Sequence, residues 1–168
     1  GPKVADAPRV LRALFVRKQY ADAVSLYRPI TGPGAAASMN NLAFDDPRDS
    51  YIDQRNPFDW AFRSKAGSIT SVEQSDNRRV LFVGTDGRER HRPVARYIAL
   101  QPGTYRLGYA MRGRPDSPDI FEVALYCAEG MQRIASSPTQ PLLGEGFESR
   151  EIRFSVPHTC PMVVLAVE

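Results

Sequence analysis

The chain contains two kinds of hydrophobic spacing, and the change between them predicts two structural parts. Between residues 3 and 30 the apolar side chains recur at steps of three and four residues, which is the spacing of one face of an α-helix. The positions that follow this spacing are Val10, Leu11, Leu14, Phe15, Tyr20, Ala23, Val24 and Tyr27. They predict a hairpin of two short helices, which begins near Asp6, breaks at Lys18-Gln19 and ends at Pro29.

From residue 40 to residue 168 the spacing is typical of β-strands. Short apolar or alternating segments are separated by turn sequences rich in Gly, Pro, Asp and Asn. Nine strands are predicted, over residues 58–62, 67–74, 79–85, 94–100, 104–113, 120–129, 131–135, 149–156 and 161–168. Many short strands without helices between them indicate a mainly β protein, an antiparallel sandwich. Residues 31–39, rich in Gly, Pro and Ala, are the predicted linker between the helical hairpin and this sandwich.

The predicted hairpin resembles the inner part of a tetratricopeptide repeat at Ala13, Leu14, Tyr20, Ala23 and Tyr27. One repeat cannot bury its own apolar faces. The hairpin is therefore either the last unit of a longer upstream array or a helical pair docked on the sandwich. An amphipathic hairpin of no particular family is the remaining interpretation. Because Gly1-Pro2 resembles the remnant of a cleaved purification tag, we expect the native chain to begin upstream.

Composition excludes several classes of function. The 168 residues carry a formal charge of only +3, and the arginines are scattered and do not form the basic run that follows a phosphate backbone. We therefore expect no nucleic-acid partner. No apolar run approaches the roughly 20 residues of a membrane helix, and no signal peptide is present, so we expect no membrane span in this sequence.

The two cysteines, Cys127 and Cys160, are either inert core thiols or a disulfide. Cys160 follows a turn at the start of the last predicted strand, and we expect the disulfide. It would close a loop of about 30 residues and stabilise the fold by on the order of 3 kcal/mol. It would also imply an oxidising compartment, periplasmic or extracellular. The two histidines and two cysteines match no usual zinc spacing.

Three motifs resemble bacterial carbohydrate-binding modules with the galactose-binding-like jelly-roll fold. Residues 41–45, NLAFD, are similar to the family's N-G-G-F-E opening; residues 100–107, LQPGTYRL, are similar to L-x-P-G-x-Y-x-L; residues 150–157, REIRFSVP, are similar to the late F-x-V-P strand. The order and spacing agree over residues 40–168. The resemblance implies a jelly roll that binds polysaccharides or oligosaccharides, although a fold alone does not specify a ligand.

The chain departs from the family pattern at several positions. Leu42-Ala43 replaces two glycines, Phe147 stands where a Trp usually precedes the late strand, and Glu168 ends the sequence without the family's closing acidic segment. The family often binds structural calcium through the opening and closing acids. Asp45 matches the first ligand and Glu168 is at best a loose substitute for the second. A calcium ion at Asp45 is thus the one cofactor that the resemblance implies, and a solvated acidic loop is the alternative.

A period of two along four strands separates a core face from an outer face. If the four strands are neighbours in one sheet, that outer face carries Tyr97, Arg106, Arg112, Glu122, Tyr126 and Arg153. Aromatic rings cover the apolar surface of sugars, and arginine binds carboxylates and hydroxyls. The sequence leaves three hypotheses for this face: a sugar site, an exterior of ordinary salt bridges, or a surface buried under the helical hairpin.

Trp60 adds a further candidate, either as a stacking platform at the rim of the cleft or as a plug at the end of the sandwich. No nucleophile, zinc or phosphate-loop motif occurs, so we expect no enzyme activity. The predicted function is a non-catalytic carbohydrate-binding-like module of a bacterial envelope or exported protein, as in a scaffold for polysaccharide synthesis or export. The alternative is an assembly domain that docks an envelope protein through the same face or through the hairpin.

Overall fold

The computed structural model of the chain describes residues 7–31, 42–44, 57–63, 67–86, 92–113, 121–138 and 146–168. Its helices are α1 (Ala7–Val16) and α2 (Tyr20–Thr31). Its strands are β1 (Ala61–Phe62), β2 (Ser68–Ser75), β3 (Arg78–Thr85), β4 (Val94–Ile98), β5 (Gly103–Met111), β6 (Val123–Cys127), β7 (Gln132–Ser136), β8 (Glu148–Val156) and β9 (Val163–Val167). Each predicted strand corresponds to one of these strands, and the predicted fold class is confirmed. The second helix passes through Pro29 and ends two residues later than predicted.

The strands form a sandwich of one sheet and two ribbons. The sheet has five antiparallel strands in the order β1-β4-β9-β6-β7. Opposite this sheet, β2 pairs with β3, and β5 pairs with β8, each as an antiparallel ribbon. The β2–β3 turn has positive φ at Asp76 (49°) and Asn77 (60°), which is the backbone of a two-residue hairpin turn. That turn fixes the register of the ribbon and hence which of its side chains face outward.

The sandwich core lies between the five-stranded sheet and the two ribbons. Alternate residues of each strand point into it, as the period of two predicted. The sheet contributes Val94, Ile98, Val123, Leu125, Val163 and Leu165; the ribbons contribute Val72, Leu81, Val83, Leu107, Ile152, Phe154 and Val156. Fully burying one such side chain contributes about 1.5–3 kcal/mol. This core places the remaining residues of β2, β3, β5 and β8 on the outside of the ribbons.

The helical hairpin packs on the opposite face of the five-stranded sheet. Its buried positions, Leu11, Tyr20, Ala23 and Tyr27, form a second core with Phe58 and Met162. Phe15 makes an edge-on ring contact with Tyr97 of β4, at 4.7 Å between ring centres. The part of the sheet around Tyr97 therefore lies under the hairpin. Burial under the hairpin was one of the three hypotheses that the sequence left open for the predicted outer face. The tetratricopeptide resemblance stays a prediction, and the linker beyond Thr31 lies outside the described residues.

The predicted disulfide is confirmed. Cys127, the last residue of β6, is bonded to Cys160 in the turn before β9, with their Cα atoms 5.4 Å apart. In the sheet register Cys127 is opposite Val163, the first residue of β9. The bond therefore closes the end of the β6–β9 pair, in the centre of the five-stranded sheet.

Reducing this disulfide should lower the melting temperature by about 10 °C. A sequence separation of 33 residues corresponds to roughly 3–4 kcal/mol of loop-closure free energy, and each kcal/mol shifts the melting temperature of a protein of this size by about 2–4 °C. Differential scanning calorimetry with and without dithiothreitol measures the shift. The double variant Cys127→Ser with Cys160→Ser is the control, because reductant should not change it. Two reactive thiols in the denatured, unreduced protein would contradict the disulfide.

Candidate functional site

The predicted site residues do not share one surface. Tyr97 and Tyr126 belong to β4 and β6 of the five-stranded sheet, whereas Arg106 and Arg153 belong to the β5–β8 ribbon on the other side of the core. The single outer face predicted for them is wrong, because the four strands are divided between the two layers of the sandwich. The candidates on the five-stranded sheet and those on the β5–β8 ribbon therefore lie in separate environments.

Of the aromatic candidates, Trp60 is buried and Tyr97 is partly buried. Trp60 is 4% exposed and belongs to the sandwich core, where the Arg96 guanidinium lies 5.6 Å from its ring centre and the Phe44 ring 5.0 Å. Of its two predicted roles, the structure therefore has the plug and not the rim platform. Tyr97 packs against Phe15 beneath the hairpin. The Trp60 ring is therefore enclosed in the core, and the Tyr97 ring is partly covered by the hairpin.

Tyr126 and Glu122 belong to an ion cluster on the five-stranded sheet, which we call the Tyr126 cluster. Its members are Arg92, Glu122, Tyr126, Arg133 and Glu168. The Tyr126 hydroxyl donates to Glu168, and the Arg92 guanidinium lies 4.1 Å from the Tyr126 ring centre. Arg133 donates to Tyr126 at 2.9 Å, to Glu168 at 2.6 Å and to Glu122 at 2.8 Å. Since Arg92 covers the Tyr126 ring, which is 4% exposed, and the carboxylates are paired, this part of the predicted face is occupied by salt bridges.

The cluster favours the charged forms of Glu168 and Arg92. Burial by itself would raise the pKa of Glu168, but hydrogen bonds from Tyr126 and Arg92, together with the charges of Arg92 and Arg133, lower it. The pKa of Arg92 is raised, chiefly by its hydrogen bond to Glu168. The cluster is therefore a set of mutually stabilised charges, of which Glu168 is 17% exposed.

The outward residues of the β5–β8 ribbon form a second, open surface, which we call the outer ladder. All of them are exposed: Thr104, Arg106, Gly108, Ala110 and Arg112 on the β5 side, and Phe147, Ser149, Glu151, Arg153 and Ser155 on the β8 side. The predicted residues Arg106, Arg112 and Arg153 thus lie together. The register places Arg106 opposite Arg153 and Gly108 opposite Glu151.

Glu151 joins the two central arginines of the outer ladder. Its carboxylate accepts a hydrogen bond from Arg153 Nε at 2.8 Å and forms an ion pair with Arg106 Nε at 3.4 Å. The hydrogen bond and the charge of Glu151 raise the pKa of Arg153. Beside them, a Cβ atom built on Gly108 would meet no atom within 4 Å, so the floor of the ladder is open. The result is a shallow strip walled by guanidinium groups.

Phe147 and Arg112 close one end of the outer ladder. The last paired residues are Met111 and Glu148, so Arg112 and Phe147 are one step further along the same register. The Arg112 guanidinium lies 4.8 Å from the centre of the Phe147 ring, which is 37% exposed. The sequence prediction noted Phe147 only as a departure from the family. The outward positions of β8 alternate from Ser149 onward. Continuing this alternation to the residue just before β8 places Phe147 on the outer face as well.

The β2–β3 ribbon adds an apolar area to the same outer surface. Ile69, 67% exposed, pairs with Gly84, and a Cβ atom on Gly84 would lie 3.4 Å from the ring of Phe82. The half-buried Phe82 ring therefore extends along the outside of β3 over the glycine. Arg112 connects the ribbons by donating to the Ser75 hydroxyl at 3.1 Å. Phe82 was also missed, because the facing of β3 was not assigned from the sequence.

A groove of about 520 Å³ lies where β7 and β8 approach at the side of the sandwich. Its polar lining includes Glu129, Gln132, Arg133, Ser155 and Thr159. Ser155 also belongs to the outer ladder, where its hydroxyl is 3.4 Å from that of Thr104. The groove therefore begins at the end of the ladder opposite Phe147.

The calcium prediction falls on Asp45, which lies outside the described residues. The other proposed ligand, Glu168, is described, and its two carboxylate oxygens accept hydrogen bonds from Arg92 and Arg133. A search of the described ranges finds no group of three or more His, Cys, Asp or Glu side chains that could hold a metal ion. The calcium site at Asp45 stays a prediction.

The helices of the described part of the chain are too short or too polar to cross a membrane.

Comparison with known proteins identifies the fold. No protein-family model and no curated protein matches the chain. A solved structure described as "CBM4 structure and function" matches with a TM-score of 0.53 and 19% sequence identity, over 77% of this chain and 87% of that chain. The chain thus has the β-sandwich fold of a carbohydrate-binding module, which confirms the sequence resemblance at the level of the fold.

Replacing Glu168 by Gln should lower the free energy of unfolding by about 1–2 kcal/mol at pH 7, because Arg92 and Arg133 lose their shared carboxylate. The folded-state pKa of Glu168 is depressed, so its contribution is present above the unfolded-state pKa and is lost as pH falls through the folded-state value. Urea denaturation at pH 7 and at pH 3 measures the difference between the two proteins. It should shrink on acidification; an equal difference at both pH values would contradict the ionic role.

Proposed function

We propose that this chain is a non-catalytic carbohydrate-binding module whose ligand, a polysaccharide, lies along the outer surface of the β5–β8 and β2–β3 ribbons. The binding residues in this proposal are Arg106, Arg112, Arg153, Phe147 and Phe82. The other residues first considered, Tyr97, Glu122, Tyr126 and Trp60, stabilise the fold. The observation that carries the proposal is the open strip at Gly108, flanked by guanidinium groups and by the Phe147 ring.

The chemistry of this surface fits a sugar chain. Sugars present apolar C–H faces and hydroxyl edges, which are bound by aromatic rings and by donors held at fixed positions. Phe147 and Phe82 supply rings, and the outer ladder supplies guanidinium and hydroxyl groups. The small residues Gly108 and Ala110 keep side chains from obstructing the strip. The likeness of the fold to a carbohydrate-binding module supports the same assignment.

The disulfide and the module fold fit an extracellular or secreted protein. We extend the proposal to a bacterial envelope or exported protein, periplasmic or extracellular, in which this module holds a polysaccharide during its synthesis or export. The helical hairpin would then join the module to the rest of such a scaffold.

An assembly domain remains the competing function. Its support is the apolar surface exposed at Val16, 79%, and Ile69, 67%. The buried face of the hairpin is unavailable for docking, because Leu11, Ala23 and Tyr27 already pack within the chain. A protein partner would therefore have to use the ribbon surface or the outward side of α1.

Affinity gel electrophoresis on immobilised polysaccharides tests the proposal. The wild-type protein should be retarded by at least one member of a panel of neutral and acidic polymers. Phe147→Ala, Phe82→Ala and Arg106→Ala should each weaken that binding about tenfold, equivalent to about 1.4 kcal/mol. No retardation by any polymer would contradict carbohydrate binding and favour the assembly domain.

Two control variants identify the surface. Val16→Ala removes an exposed apolar side chain from α1, and Tyr126→Phe removes a hydroxyl from the Tyr126 cluster; both lie on the other side of the core. Neither should change retardation. If Tyr126→Phe weakened binding as much as Phe147→Ala does, the ligand would lie on the five-stranded sheet and the proposed surface would be wrong.

A further inference from the structure

The outer ladder has an electrostatic feature that a neutral ligand does not require. Arg106 and Arg153 are directly opposite each other in the β5–β8 register. Like charges at opposite positions destabilise a strand pair. Glu151 is the only carboxylate of the ladder, whereas Arg112 adds a third arginine. The ladder therefore carries two positive charges in excess.

The two central arginines retain unused donors. Both contact Glu151 through Nε, and their side chains are 70% and 81% exposed. Within the described residues, the Nη atoms of these two guanidinium groups donate no hydrogen bond. A guanidinium edge binds a carboxylate with two parallel hydrogen bonds, a geometry that a hydroxyl cannot match. Arg106 and Arg153 can therefore bind an anion while Glu151 holds their stems in place.

We propose that the Arg106–Arg153 pair is an anion subsite that binds the carboxylate of a uronate residue, so that the module selects acidic over neutral polysaccharides. This inference rests on the proposed function, since it names the ligand class of the same surface. The inference requires that the carboxylates of the polysaccharide, and not only its sugar rings, determine its affinity for the module.

The length of the ladder favours a polymer over a single sugar. Arg112, the residue after β5, is six positions along the chain from Arg106, which is about 20 Å at roughly 3.3 Å per position. Cationic side chains thus stand at both ends of a strip whose middle is formed by Gly108 and Ala110. A chain with a carboxylate on successive residues can meet both ends at once, and linked contacts gain affinity through effective concentration.

A pair of polymers that differ only in charge tests the subsite. Isothermal titration with polygalacturonate and with its methyl ester compares the same backbone with ionised and with neutralised carboxylates. The wild-type protein should bind polygalacturonate at least tenfold more tightly. Arg106→Gln and Arg153→Gln should each reduce this affinity about tenfold and weaken any binding of the ester by a clearly smaller factor, because the ester has no ionised carboxylate for the guanidinium groups to bind. The melting temperatures should not change, because both side chains are largely exposed.

Two further variants separate a built subsite from general attraction between charges. Glu151→Gln removes a negative charge that repels the incoming carboxylate and keeps an amide oxygen that accepts a hydrogen bond from Arg153 Nε, so binding of polygalacturonate should strengthen several-fold. Arg9→Gln removes an equal charge from an exposed position of α1, on the far side of the five-stranded sheet, and should have no effect. An effect of Arg9→Gln as large as that of Arg106→Gln would overturn the subsite.

The outcomes distinguish the two proposals. Equal affinity for polygalacturonate and its ester, or binding of neutral glucans such as laminarin alone, overturns the anion subsite and leaves carbohydrate binding intact. No binding of polygalacturonate, its ester or any neutral polymer overturns both.

Discussion

The burial of both faces of the five-stranded sheet is the constraint on which the proposed binding surface depends. One face packs on the ribbons through the sandwich core, and the other is covered by the hairpin at Tyr97 and by the Tyr126 cluster near Glu168. A sheet face that is covered cannot accept a polymer. The outside of the ribbons is consequently the sheet surface that stays open within the described part of the chain.

The protein uses charge in two different ways on the two sides of its core. In the Tyr126 cluster two arginines and two glutamates are paired and joined by a tyrosine hydroxyl, and all of these charged groups except Arg133 are partly buried. Such groups stabilise the fold because each one satisfies its neighbour. On the outer ladder three arginines share one glutamate, and the side chains of Arg106 and Arg153 are mostly in water. Exposed ion pairs of that kind contribute little to stability, and this contrast is the basis of the proposed anion subsite.

The local sequence pattern was sufficient to predict the helices and strands but not which strands lie next to each other. The nine strands, the core positions of β5, β6 and β8, and the Cys127–Cys160 disulfide follow from spacing and turn chemistry within short segments. Which strands pair is decided by contacts between residues far apart in sequence, and here those contacts divide Tyr126 from Arg106. The hairpin had three interpretations for the same reason: its apolar face is visible in the sequence, whereas the surface that covers that face is not.

The two aromatic residues of the proposed surface show the same limit. Phe147 could have been placed by extending the alternation of β8, but its contact with Arg112 depends on the register of two strands that are distant in sequence. Phe82 is part of a strand with apolar residues on both faces, so its alternation does not indicate which face is buried. Only the packing of Leu81 and Val83 in the core shows that Phe82 faces outward.

The central claim is that the ribbon surface, and not the five-stranded sheet, holds the polysaccharide. Hydroxyl-radical footprinting with mass spectrometry, in the presence and absence of a polymer that the protein binds, tests it most directly. The account predicts that the ligand reduces the oxidation of Phe147 and Phe82 and leaves unchanged that of Met131, which is 38% exposed in the β6–β7 turn of the five-stranded sheet. Protection of Met131 with no protection of Phe147 would contradict it.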